Sequence, residues 1–277
     1  MIVKANGDKE PFVEEKLRES LRRCAATPTD IDKVVAHITG ELEEGMTTDH
    51  IDRHAFFVLN KLQNPDAVRK YSLRRALIEL GPTGFPFEKF LAYLFKEKGF
   101  EVMLNKIVKG NCVSHEIDLV AFNDTKLTMV EAKFHNQLGE KSDLKVILYV
   151  KARFDDLLDQ TFDYGKPRLL DEGWLMTNTK FTEKAVKYGE CAKVRMIGWN
   201  YPQKGNLENM IEDSGLHPIT CLSTLNNYER QLLLNKGMVL CKQIKERRGE
   251  LESFGINKSR IEQASAEAEV VCRPYGS

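Results

Sequence analysis

Two apolar, β-branched runs, residues 115 to 123 (HEIDLVAFN) and 127 to 134 (LTMVEAKF), meet at the turn-prone Asn123-Asp124-Thr125-Lys126, and this pairing limits the fold more than any other stretch. Such runs favour extended backbone, and the short polar connection between them suits an antiparallel hairpin. A four-residue loop sets Phe122 opposite Leu127. The same register then carries Asp118 opposite Glu131 and Glu116 opposite Lys133. Side chains alternate between faces along a strand, so the lysine shares the face of the carboxylates. Directly opposed side chains have Cβ atoms about 4.5–5.5 Å apart, and like charges so placed destabilise the pair unless something compensates them.

A divalent cation is one compensation. Hard oxygen ligands suit Mg²⁺ or Mn²⁺, which keep water and substrate phosphate oxygens beside one or two carboxylates. Asp118 and Glu131 are thus the candidate metal ligands, and Lys133 the candidate stabiliser of negative charge on a phosphoryl group. The competing reading is a solvent-washed hairpin with an ordinary Glu116–Lys133 ion pair. Upstream, Phe87, Phe90, Leu91, Leu94 and Phe95 recur at helical spacing between Gly84 and Gly99, which predicts an amphipathic helix. Glu88 borders its apolar stripe. There it either completes the carboxylate site through water or serves as a solvated first-turn acid complementing the helix dipole.

With 277 residues, 42% of them hydrophobic, the chain can build two cores. Its 41 basic and 41 acidic residues cancel, so any nucleic-acid contact must come from local basic surface and not from a global field. Cys24, Cys112, Cys191, Cys221, Cys241 and Cys272 include no C-x-x-C pair, which disfavours a zinc site or a disulfide framework and fits a reducing cytoplasm. No run approaches the roughly 18 apolar residues of a membrane span, and the amino terminus lacks a signal-peptide core. The expected location is cytoplasmic.

The chain opens with a hairpin signal, Asn6-Gly7, whose two positions favour positive φ. Helical stripes follow: Leu17, Leu21 and Cys24; then, after the Thr27-Pro28-Thr29 break, Ile31, Val35, Ile38 and Leu42; then Ile51, Ala55, Val58, Leu59 and Leu62; and a last helix from Pro65 to about Leu80. Helix breakers crowd Gly81-Pro82-Thr83-Gly84-Phe85-Pro86, the expected domain boundary. Beyond it the reading is helix, strand (100 to 108), hairpin, long helix (145 to 158), strand (173 to 176), helix from Thr182 and strand (194 to 199). The fold class is therefore α+β or α/β, a mixed sheet flanked by helices. After Tyr201-Pro202 the pattern is helical, with a poorly constrained tail beyond Glu262.

Residues 1 to 80 resemble the ATP-cone, a small nucleotide-sensing domain of ribonucleotide reductases and of the repressor of their genes. The resemblance rests on Val3-Lys4, Gly7, Glu10-Pro11-Phe12 and Lys16-Leu17, which follow the pattern V-x-K-R-D-G…E-x-F-D…K-I/L, and on Ala67 with Tyr71. The chain departs from it at Ala5 and Asn6. ATP or dATP is the implied effector, with Lys4, Gly7, Glu10 and Lys16 as the implied binding residues; no Walker A sequence is present.

Residues 84 to 202 resemble the PD-(D/E)XK nuclease superfamily, most closely its Mrr-like restriction endonuclease branch. Glu88 matches the first-helix acid, Asp118 the hairpin aspartate (Ile117 replacing the usual proline) and Glu131-Ala132-Lys133 the E-x-K element. Trp174-Leu175-Met176-Thr177-Asn178 and Phe181-Thr182 with Ala185 extend the match. The joined arrangement is similar to cone-fused, restriction-endonuclease-like proteins of prokaryotes, and implies Mg²⁺-dependent DNA cleavage gated by ATP or dATP. The alternative is a non-catalytic nucleotide sensor that binds nucleic acid through a degenerate nuclease fold; RNA as substrate is a third reading.

His115 and His135 flank the acidic strands and are assigned supporting roles. Lys145, Tyr149, Lys151 and Arg153 align at helical spacing, either as a phosphate track or as the solvated face of a helix, and stay outside the catalytic set. Residues 203 to 277 form the third region, helical, with basic residues from Lys236 to Arg260 that suit either a DNA clamp or a water-facing lid. Cutting both strands of a duplex needs two centres or two visits, so a homodimer is expected.

Overall fold

The computed structural model describes residues 1–4, 7–24, 26–62, 65–137 and 139–272, which divide into two compact units, residues 1–78 with 137–140 and residues 79–136 with 141–277. No helix among the described residues is long and apolar enough to cross a membrane.

Among the described residues, the first unit is a hairpin and four helices. Strands β1 (Ile2–Val3) and β2 (Lys9–Glu10) pair antiparallel, Ile2 with Glu10 and Val3 with Lys9. The Lys4 N–H donates to the Asp8 carbonyl at 2.8 Å, so the connection is one residue longer than a two-residue Asn6-Gly7 turn, and Gly7 takes the left-handed conformation at φ 85° that closes such a loop. Ala5 and Asn6 lie outside the described residues. Helices α1 (Glu14–Arg23), α2 (Pro28–Gly40), α3 (Thr48–Lys61) and α4 (Pro65–Ile78) follow. Thr27 caps α2 by accepting from the Asp30 N–H, with Pro28 in the first turn, so the anticipated break is a helix start. Leu17, Leu21, Ile31, Val34, Val35, Ile38, Ala55 and Leu59 form the core.

In the second unit α5 (Phe85–Glu97) leads into β3 (Glu101–Lys109), β4 (Ser114–Phe122) and β5 (Leu127–Lys133), then α6 (Leu144–Leu157), β9 (Glu172–Thr177), α7 (Glu183–Cys191) and β11 (Arg195–Ile197). Short pairs complete it: β6 (Lys141–Ser142) with β10 (Lys180–Phe181), and β7 (Phe162–Asp163) with β8 (Pro167–Arg168). The five-stranded sheet runs β11-β9-β5-β4-β3. Its β3-β4-β5 part is an antiparallel meander, while β9 adds parallel to β5 and β11 parallel to β9. A helical crossover is what a parallel neighbour requires, and α6 supplies it. Fully buried Phe87, Phe90, Leu91 and Phe95 of α5 form one packing surface, with the Phe95 and Trp174 rings 5.3 Å apart. A second core joins Val120, Phe122, Leu127 and Met129 to Ile147, Val150, Phe154 and Leu157 of α6.

The same unit ends in α8 (Leu207–Ser214), a 3-10 turn (Ile219–Cys221), α9 (Asn227–Asn235), α10 (Gln243–Glu246), α11 (Arg248–Ser253) and α12 (Lys258–Val271). The expectation of a loose tail beyond Glu262 is corrected: α12 continues to Val271 because Ile261, Ala264 and Ala268 share one buried face, and Glu267 ties it to the Ser223 and Thr224 N–H groups at 2.7 and 2.9 Å. Residues 273–277 lie outside the described residues. Folding also gathers cysteines that the chain spacing leaves scattered. Cys241 interacts with Cys221 and Cys272, and Cys272 with Cys241 and His217; these neighbours raise the Cys241 thiol, which burial raises first, and lower the Cys272 thiol.

Candidate functional site

Asp118 sits at a double interruption of the sheet. The β4–β5 ladder follows the predicted register through Phe122–Leu127 and Leu119–Val130, but stops one couple short of Asp118 and Glu131. Because the ladder ends there, the expected Glu116–Lys133 couple is not formed either; on their other sides Lys133 pairs with Thr177 of β9 and Glu116 with Ile107 of β3. On the other side of β4, Asn105 adopts φ 50°, a left-handed conformation that removes it from the β3–β4 ladder opposite Asp118. The Asp118 side chain fills the gap: its Oδ2 accepts the Ala132 N–H at 2.7 Å. The carboxylate thus replaces a backbone acceptor and holds the end of β5 beside β4.

Glu131 and Glu88 face this carboxylate. Burial, and then the charge of Asp118, push the Glu131 carboxyl up to about 7, and the same two causes in the same order push Glu88 up to about 7. Asp118 itself is raised by burial and held back by the Ala132 N–H and the charge of Arg153. Desolvation with like-charge crowding explains all three directions. Lys133 is exposed, and its charge lowers both Asp118 and Glu131. Glu88 is set by the start of α5, where its N–H donates to the Gly84 carbonyl at 3.0 Å. The end of β5 is fixed by Asn178, fully buried, which accepts the His135 N–H at 2.9 Å and donates to the His135 carbonyl at 2.7 Å.

Arg153, kept outside the predicted set, reaches this group from α6. Its Nη1 donates to Glu131 and, at 3.0 Å, to the Glu116 carbonyl, and its Nη2 donates to the Tyr149 hydroxyl at 2.8 Å. Helical spacing showed the Tyr149–Arg153 neighbourhood; the long-range partner on β5 has no signature in the chain. The Arg153 Nε is buried without a partner among the described residues. His115 points away from the acids: its Nε2 pairs with Asp156 at 2.7 Å. Glu88, Asp118 and Glu131 are not drawn into one tight knot, since no choice of one oxygen from each brings the three mutually within 4.8 Å. The donor set suits Mg²⁺, which needs only one or two carboxylates.

In the first unit Glu10 bridges both lysines assigned to phosphate, with Lys4 Nζ at 2.6 Å and Lys16 Nζ at 3.0 Å. Those contacts, Lys4 first, hold the Glu10 carboxyl below its ordinary value. Of the four residues named from sequence, Lys4, Glu10 and Lys16 are therefore joined through their side chains, while Gly7 lies in the turn of the hairpin.

Residues 1–79 match the ATP cone domain family, and residues 217–272 match the family described as AF1548-like, C-terminal. An uncharacterized protein of Archaeoglobus fulgidus is 37% identical over 182 residues, spanning 65% of this chain and 99% of that protein. A solved structure, the crystal structure of the protein of unknown function AF1548, aligns at 35% identity and a TM-score of 0.56, covering 69% of this chain and 98% of that one. The chain belongs to the AF1548 family and carries a nucleotide-sensing ATP cone domain at its amino-terminal end.

Proposed function

We propose that the protein is a Mg²⁺-dependent DNA endonuclease of the restriction-endonuclease-like, Mrr-related type, with an ATP cone that makes it responsive to ATP or dATP. The observation that carries this reading is the convergence of Glu88, Asp118 and Glu131, whose burial raises the proton affinity of all three and where the Asp118 charge raises that of both glutamates further, with Lys133 and Arg153 beside them. Such crowding costs free energy that a bound dication offsets. Asp118 and Glu131 would hold Mg²⁺ or Mn²⁺, which supplies Lewis-acid polarisation of a phosphodiester oxygen and a more acidic water. Lys133 would stabilise charge developing on the phosphoryl oxygens through its ammonium. Glu88 orients or deprotonates water, and its proton affinity near neutrality suits that task. Asp118, whose carboxylate also braces β5, positions the E-x-K element as well as binding metal.

The Arg153–Glu131 ion pair favours one second reading, since a guanidinium that already neutralises Glu131 lets the fold persist as a DNA-binding sensor without metal. Calorimetric titration of Mg²⁺ and Mn²⁺ into the full chain separates the two. Uptake that disappears in Asp118→Asn supports the nuclease, whereas DNA binding with no cation uptake supports the sensor. Competition of DNA with RNA of the same sequence decides the substrate.

A further inference from the structure

We infer that the amino-terminal unit carries a second, chemically different metal site, a transition-metal site formed by His37, Glu41 and His54. His37 and Glu41 are one helical turn apart at the end of α2, and His54 comes from α3. The His37 Nε2 lies 3.3 Å from Glu41 Oε1, and the His54 Nδ1 lies 2.9 Å from Glu41 Oε2. Among the described residues these are the one set of three histidine, cysteine or acidic side chains whose ligand atoms all fall within 4.8 Å of one another. Two ligands about 2.0–2.1 Å from a tetrahedral cation are roughly 3.3–3.4 Å apart. The observed separations therefore need little adjustment to close on an ion.

Three independent features point to a cation. A cleft of about 550 Å³ adjoins the group, lined by Glu41, Glu43, Glu44, Gly45, Met46, His50 and His54, with no lysine or arginine among the described residues that line it. The His50 and His54 rings are 4.5 Å apart, which places a further imidazole beside the set. Glu41 is the C-cap of α2, where the helix carbonyls present partial negative charge to any positive ligand. Two imidazoles and a carboxylate favour Zn²⁺, Ni²⁺ or Cu²⁺ over Mg²⁺, which demands oxygen ligands. The site differs in chemistry from the Asp118–Glu131 pair and does not rest on the nuclease reading.

Its consequence is local stiffening. The segment that begins at Glu41 is stitched to β1 by Gly45 N–H to Met1 carbonyl (2.9 Å) and Val3 N–H to Met46 carbonyl (3.0 Å). A cation joining α2 to α3 therefore clamps the connection that supports the strand leading to Lys4.

The test is titration of Ni²⁺ into the full chain with Mg²⁺ present in excess to occupy oxygen sites. Wild type takes up one equivalent more than the His37→Ala/His54→Ala protein, and Ni²⁺ raises the melting temperature of wild type alone. Glu41→Gln weakens that uptake at least about tenfold, as even outer-shell changes do. His37 and Glu41 are exposed and His54 is half-buried, and matching metal-free melting curves verify folding of each variant. Equal stoichiometry and equal melting shifts in wild type and double variant would overturn the site, leaving Glu41 as an ion-pair partner of the two histidines.

Discussion

Arg153 of α6 donates to the carboxylate of Glu131 on β5 across 22 residues of chain, joining the crossover helix to the acidic end of the hairpin. The two side chains are 12% and 18% exposed, so removing one partner leaves a largely desolvated charge beside Asp118. Arg153→Ala is expected to lower metal-free stability by about 1–3 kcal/mol, discounted from the roughly 3–5 kcal/mol of a fully buried pair. Mg²⁺ then raises the melting temperature more in the variant than in wild type, because the cation takes over the neutralisation. Thermal melts with and without Mg²⁺ check both statements; equal Mg²⁺ shifts would contradict them.

The His115–Asp156 pair gives a pH signature. Asp156 accepts from His115, and from the Cys112 and Val113 N–H groups at 2.7 and 3.2 Å. His115 first, then those amides, hold its carboxyl well below the usual carboxylate range. A depressed folded-state value means that the stabilisation is fully present above the unfolded value, about 3.9, and is lost as pH falls through the folded one. Asp156→Asn therefore lowers the melting temperature at pH 7, and the gap to wild type narrows below about pH 4. A gap that stays constant across that window would refute the pairing.

Much of the sheet was legible because its signals are local. Asn123 accepts the N–H groups of both Thr125 and Lys126, so the polar turn that suggested the loop also fixes the β4–β5 register. The apolar periodicity from Phe87 to Phe95 likewise puts Glu88 in the first turn of a helix, as observed in α5, since a helix start is marked by its own residues. Asp118 and Glu131 are neighbours for a different reason from the opposed couple the register predicts: the ladder ends before them, and the Asp118 side chain on the Ala132 N–H keeps β5 beside β4. Arg153 was missed because its partner depends on how α6 lies over the sheet, which no spacing within the helix encodes. The His37, Glu41 and His54 set was hidden likewise. The turn-spaced His37 and Glu41 were visible, while His54 arrives only through packing of α3.

Gly173 of β9 tests how tightly α6 is seated. A Cβ added there would lie 2.3 Å from the Phe154 ring, next in sequence to Arg153, and Phe154 belongs to the buried core. Gly173→Ala is expected to cost about 1–3 kcal/mol as an overpacking change. Urea denaturation measures it, and a loss under about 0.5 kcal/mol would show that α6 yields freely.

The hairpin lysines make a nucleotide prediction. Charge-assisted contacts to phosphate contribute about 1.5–3 kcal/mol each, so Lys4→Ala and Lys16→Ala should each weaken ATP or dATP binding roughly tenfold to a hundredfold. Calorimetric titration at fixed ionic strength reads this directly. Unchanged affinity in the double variant would move the nucleotide site away from β1 and α1.

The most direct test of the acidic centre is nicking of supercoiled plasmid by the full chain with Mg²⁺, at several ATP and dATP concentrations, beside the Asp118→Asn, Glu131→Gln and Lys133→Ala variants. The account predicts cation-dependent nicking by wild type, its loss in all three variants whose metal-free melting curves match wild type, and a rate that changes with nucleotide. Nicking that persists in Asp118→Asn and Glu131→Gln would contradict it.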